Sequence, residues 1–137
     1  MPILNIHLVA GQHTTEQVGE LLQACSALFA EVLKAPVERI RVFATEYAPT
    51  HACLGGQLVS AGAPPAPYFS FIVLEDRSVE DRQRLLTGFT DRIVDILGVD
   101  RSRVRGGIVP VAASDWSIAG QSASVLRSAE IAARSRA

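Results

Sequence analysis

The sequence predicts an α+β fold in which one β-α-β unit is written twice, giving a four-stranded sheet with two helices on one face. Three observations carry this prediction. Segments of period-two hydrophobicity alternate with stripes at helical spacing, in the order strand, helix, strand and then strand, helix, strand again. The halves superpose in register: Pro67 falls on Pro2 and Arg77 on Gln12 at an offset of 65, and Arg105 falls on Arg41 at an offset of 64. A proline-rich stretch, "SAGAPPAP", joins them and reads as an extended, stiff connection. A chain of 137 residues that is 48% hydrophobic supports one ordinary core, so a single domain is expected. Its repeats span about 2–60 and 67–122, with a linker at 61–66 and a tail at 123–137.

Each element has its own signal. Leu4, Ile6 and Leu8 alternate with Asn5 and His7, as in a half-buried strand. Thr14 and Gln17 have capping-box spacing, and Val18, Leu21, Leu22, Cys25, Leu28, Phe29 and Val32 then form an amphipathic helical stripe ending near "KAP". "RIRVFATEY" alternates again, and "LGGQLV" supplies a glycine turn. In the second half "PYFSFIVLEDRS" is a strand and Ser78 with Asp81 is a cap. Leu85, Leu86, Phe89, Ile93, Ile96 and Leu97 make the second helical stripe, and "SRVRGGIVPV" is the fourth strand. A parallel pair within each unit requires a right-handed crossover. Two helices cover only one sheet face, so the other face, carrying Leu4, Ile6 and Leu8 or their alternates, predicts self-association around a symmetry axis.

Thirteen basic against fourteen acidic residues leave a net charge of −1, which argues against nucleic acid or an anionic membrane as partner. Cys25 and Cys53 read as free thiols, and no stretch approaches the ~18 apolar residues of a membrane span, so a cytoplasmic protein is expected. The three histidines are widely spaced, no metal motif occurs, and no cofactor is expected.

The residue that draws chemical attention is Pro2. Removal of Met1 leaves it with a free secondary amine, which burial and a nearby guanidinium would shift towards a working base. The competing reading is a proline that begins an edge strand. Pro67 aligns with it, but an internal tertiary amide has no basic nitrogen, so one site per chain is expected. Arg101 and Arg103 lie in a charged cluster and read as solvated; His7 reads as packed on the sheet and His51 as a surface turn residue.

"PILNIHLVAGQ" followed by "APVERIRVFATEYAPTHACLGGQL" resembles a complete 4-oxalocrotonate tautomerase subunit, and the second half resembles another copy. The ending "SDWSIAGQSASVLRSAEI" is similar to malonate semialdehyde decarboxylase and, less closely, to the cis-3-chloroacrylic acid dehalogenases. The chain is thus identified as a member of the tautomerase superfamily in a fused, two-copy form. The resemblance implies a homotrimer in which Pro2 moves a proton and arginines hold the carboxylates of a small acid. It places Arg77 opposite Pro2 as carboxylate binder, since the family's arginine at this position serves the proline of the partner unit; the corresponding first-half position is the uncharged Gln12. It assigns Arg41 or Arg105, either reaching a neighbouring subunit, to the carbonyl or second carboxylate, and Trp116 to an aromatic wall whose first-half counterpart is Ala52. Tyr47, Phe69 and Phe71 are further candidates for that wall.

The implied activity is cofactor-free tautomerisation of an unsaturated 2-hydroxy or 2-oxo acid. Decarboxylation or hydration by a cationic Pro2 is the alternative, as is a non-catalytic oligomer that binds small acids. The dehalogenases place a water-activating carboxylate near the aligned "WSIAG", where Ser117 and Ile118 stand and only Asp115 is adjacent. The decarboxylase has a second arginine where this chain has Glu75, and its acidic partner aligns with Arg39 or, with a shift, Glu38.

Overall fold

The computed structural model describes residues 2–136, so the expected removal of Met1 concerns a residue outside the described ones. The two halves are the same structure in the same lengths. β1 (Ile3–Val9), α1 (Thr15–Leu33) and β2 (Arg41–Tyr47) are followed by a small hairpin of β3 (Cys53–Leu54) and β4 (Gln57–Leu58). β5 (Tyr68–Leu74), α2 (Val79–Leu97) and β6 (Arg105–Val111) are followed by the hairpin of β7 (Ser117–Ile118) and β8 (Gln121–Ser122). Two helices, α3 (Ala123–Leu126) and α4 (Ser128–Ser135), close the chain.

Local chemistry sets the helix ends as the sequence predicts. Thr14 Oγ1 accepts from the Gln17 amide and Gln17 Oε1 from the Thr14 amide, a complete capping box, while Ser78 Oγ accepts from the Asp81 amide. The β3–β4 turn has Gly55 and Gly56 both at positive φ, the conformation a two-residue hairpin needs to match strand twist.

The sheet order is β2-β1-β5-β6, parallel within each half and antiparallel where the halves meet at β1 and β5. Ile3 pairs with Ile72 and His7 with Tyr68. The start of each half therefore lies beside the end of the other half's first strand, which decides where Pro2 and Pro67 sit.

Leu4, Ile6, Leu8, Phe69, Phe71 and Val73 face the helices and are buried against Leu21, Cys25, Phe29, Leu85, Phe89 and Ile93. Phe29, Phe69, Phe71 and Phe89 form one aromatic cluster, with Phe89 edge-on to Phe29 at 4.8 Å and to Phe71 at 5.2 Å. A Cβ built on Gly88 would run into Leu28, so this glycine permits the close approach of α1 and α2. The opposite sheet face carries the alternates and stays open, with Phe43 52% and Val109 47% exposed.

The linker corrects two expectations. A 3-10 turn, Val59–Ala61, leads into it and takes in its first residue, so the stretch does not run wholly extended. Arg103 is not simply solvated: its Nε donates to the Pro65 carbonyl at 3.2 Å and its Nη2 to the Pro64 carbonyl at 3.4 Å, pinning the linker to the second half. No helix among the described residues is long and apolar enough to cross a membrane.

Candidate active site

Pro2 leads directly into β1, and its carbonyl accepts the first β2 bond, from the Arg41 amide at 3.2 Å. Its ring is fully buried. It lines a cavity of ≈ 20 Å³ with Leu33, Val73, Leu74 and four arginines, Arg39, Arg77, Arg127 and Arg134, beside one carboxylate, Glu130. The antiparallel junction explains the pairing of Pro2 with Arg77. Arg77 follows the end of β5, and that end lies beside the start of β1.

Arg77 is held there by the other half of the chain. Its Nη1 donates at 3.0 Å to the carbonyl of Leu33, the last residue of α1, satisfying an acceptor that a helix end leaves without an intrahelical partner. Burial holds its guanidinium below the usual arginine value, and Arg134 adds to the effect.

α4 covers the site. Glu130 accepts from Arg39 Nη1 through both carboxylate oxygens, at 3.2 and 3.1 Å, and Arg134 pairs with Asp76. The Arg39 bond holds the Glu130 carboxyl below its ordinary value. The space around Pro2 is about what one water needs. A larger cavity of ≈ 420 Å³ adjoins it, sharing Arg39 and Arg127 and lined also by Ile3, Glu38, Arg41, Trp116 and Ile118.

The predicted residues therefore divide. Pro2 and Arg77 share a cavity within one protomer, and Arg41 and Trp116 share the adjoining one. Arg105 lines neither: its Nη1 turns back to the carbonyls of Ser102, at 2.7 Å, and Val104, at 3.0 Å. Phe69 and Phe71 belong to the core, and Tyr47 lines a cavity at the opposite end of β1. Asp115 is exposed and lines neither cavity, whereas Glu38 lines the larger one.

Sequence reasoning missed Arg127, Glu130 and Arg134 and did not place Arg39 at Pro2. Their signal was available. Arg127, Glu130, Ile131 and Arg134 have the i, i+3, i+4, i+7 spacing of one helix face. Among the described residues, no group of three His, Cys, Asp or Glu side chains is placed to hold a metal ion.

Comparison with known proteins agrees with this architecture. The tautomerase enzyme family profile matches residues 2–62. The 2-hydroxymuconate tautomerase of Pseudomonas sp. (strain CF600) is 38% identical over 60 residues, which is 44% of this chain and 94% of that protein. The crystal structure of a native fused 4-OT aligns with a TM-score of 0.84 at 29% identity, covering 91% of this chain and 98% of that one. A wild-type fused 4-OT solved as a symmetric trimer aligns with a TM-score of 0.80 at 26% identity, over 90% of this chain and 98% of that one. A β-α-β duplicate with a buried proline among arginines at its amino end defines the class: the chain belongs to the tautomerase family, in the fused two-copy form. Its enzyme class is accordingly that of an isomerase.

Proposed function

We propose that the protein interconverts enol and keto forms of a small unsaturated 2-hydroxy or 2-oxo acid without a cofactor, with Pro2 as the proton carrier. The observation that supports this best is the cavity in which buried Pro2 faces four guanidiniums and a single carboxylate. With Met1 removed, the Pro2 amine in such surroundings is less easily protonated than in water, which brings its pKa towards the working pH. The amine takes the hydroxyl proton of the enol, the electron pair shifts along the conjugated chain, and the proton returns to carbon. Arg77 holds a substrate carboxylate through its planar fork.

Arg41 stabilises the charge that develops on the dienolate, and Trp116 walls the pocket and lowers its dielectric. Arg105 serves this role only if it reaches the site of a neighbouring subunit. A homotrimer fits the open apolar sheet face, and the fused 4-OT relative is itself a trimer. The ≈ 420 Å³ cavity offers room for such an acid, so admission to Pro2 requires Arg39 and Arg127 to turn aside.

The test is turnover of phenylenolpyruvate or 2-hydroxymuconate by wild type and Pro2→Ala, with intact-mass confirmation that Met1 is absent. We expect the variant to lose about 100- to 10,000-fold in kcat/KM, and undiminished activity would remove Pro2 from the mechanism. Glu130, a carboxylate at the Pro2 cavity, is the one feature that favours a cationic Pro2 and hence decarboxylation or hydration. The pH–rate profile separates the two. A base loses activity as pH falls through the amine pKa, whereas a cationic proline loses it as pH rises. Binding of small dicarboxylates without any turnover would indicate a non-catalytic acid-binding oligomer.

A further inference from the structure

The duplication builds a second cavity at Pro67, where the surroundings are of another kind. It encloses ≈ 330 Å³, and Gln12 occupies the place that Arg77 has at Pro2, as Ala52 does for Trp116. Its lining contains no Asp, Glu, Lys or Arg. All three histidines of the chain, His7, His13 and His51, line it instead.

His7 stands between two tyrosines, nearly parallel to both, with ring centroids 5.8 Å from Tyr47 and 4.9 Å from Tyr68. Its Nδ1 lies 2.7 Å from the Tyr47 hydroxyl. The Gln12 amide is fixed by donation from Nε2 to the Ala63 carbonyl at 3.3 Å, and His13 Nε2 is buried without a hydrogen-bond partner.

We propose that this cavity is a second, non-catalytic binding site for a small uncharged planar molecule carrying a hydroxyl, of the phenol class. Stacked rings and aliphatic side chains offer such a molecule a flat apolar surface. The oriented Gln12 amide and the Tyr47 hydroxyl, both on residues of the lining, offer its hydroxyl polar partners. Within one protomer, a carboxylate entering here would shed its water with no fixed cation on the lining to receive it. The two halves thus divide the ligands by charge: acids at Pro2, neutral rings at Pro67.

The experiment is titration of the intact protein with phenol and with benzoate at about pH 8, above the ordinary histidine range, followed by the ring signals of the histidines. Because every histidine lines this cavity, those signals report on it and not on Pro2. We expect saturable shifts with phenol and at least about tenfold weaker binding of benzoate. Ala52→Trp, which fills the cavity, should abolish the phenol shifts while enol turnover persists. Gln12→Arg should reverse the preference. The proposal is overturned if phenol gives no saturable shift, as when a neighbouring subunit fills the cavity, if benzoate binds the wild type as tightly, or if both variants bind as the wild type does. It does not depend on the role of Pro2, which the turnover assay tests separately.

Discussion

Arg77 is asked to do two things at once. It closes the carboxyl end of α1 through Leu33 and presents the rest of its fork to the Pro2 cavity. Arg77→Lys keeps a charge and a donor but loses bidentate geometry, so the proposed role predicts a rise in KM with little change in melting temperature. A charge-assisted hydrogen bond of about 1.5–3 kcal/mol sets the expected loss in kcat/KM at roughly 10- to 150-fold. Steady-state kinetics beside a thermal melt checks both halves of the statement; unchanged kinetics would leave Arg77 a helix cap alone. Phe89 is a purely structural counterpart. It is fully buried and touches Phe29, Phe69 and Phe71 edge-on, so Phe89→Ala should cost about 3–5 kcal/mol in urea unfolding. The two cysteines differ for a related reason. Burial pushes the Cys25 thiol up to about 12, while Cys53 is exposed on the β3–β4 hairpin, so a thiol reagent should modify Cys53 and spare Cys25 in the folded protein.

At the scale of elements, α4 lines the Pro2 cavity from outside the two repeats, through Glu130 and Arg134. Eight residues make too short a helix to persist alone in water, so α4 depends on what holds it down. Its two ion pairs, Arg39 with Glu130 and Arg134 with Asp76, reach to different halves of the chain. The hydrogen bond from Arg39 lowers the Glu130 pKa in the folded protein. The sign follows: the contact contributes fully above the ordinary glutamate value of 4.5 and is lost as pH falls through the lower, folded value. The protection of residues 128–135 against amide exchange, taken relative to the intrinsic rate at each pH, should therefore fall between about pH 6 and about pH 3. Glu130→Gln should show the lowered protection already at the higher pH. An identical profile in the variant would mean that packing alone retains α4.

For the whole molecule, the decisive surface is the sheet face that no helix covers. Phe43 and Val109 stand on it about half exposed, in strands that form opposite edges of the sheet. Light scattering should give the mass of a trimer, and Phe43→Arg should shift the protein towards monomer by placing a charge in the buried interface. A wild-type monomer would refute the proposed assembly. If Arg41 or Arg105 completes a neighbouring subunit's site, enol turnover should fall together with the trimer fraction. A dissociated yet fully active variant would confine the site to one protomer.

Much of this was written in the sequence because it is local. Hydrophobic period, caps and glycine turns depend on residues a few positions apart, and the two-fold repeat shows as a comparison of offsets. The pairing of Pro2 with Arg77 is expected only through the family resemblance, in which the arginine at this position serves the partner unit's proline; the structure puts both on one cavity. The sequence left open which alternates of β1 face the helices and did not tell Arg41 from Arg105. Nor did it place α4 over Pro2. The face of β1 and the place of α4 are decided by the antiparallel meeting of β1 with β5 and by ion pairs spanning 58 and 91 residues. Such contacts depend on how whole elements pack, and no window of neighbouring residues carries that information. Pro2 and Pro67 show it most simply: alike at the start of each repeat, they are distinguished by side chains that the fold brings from the other half.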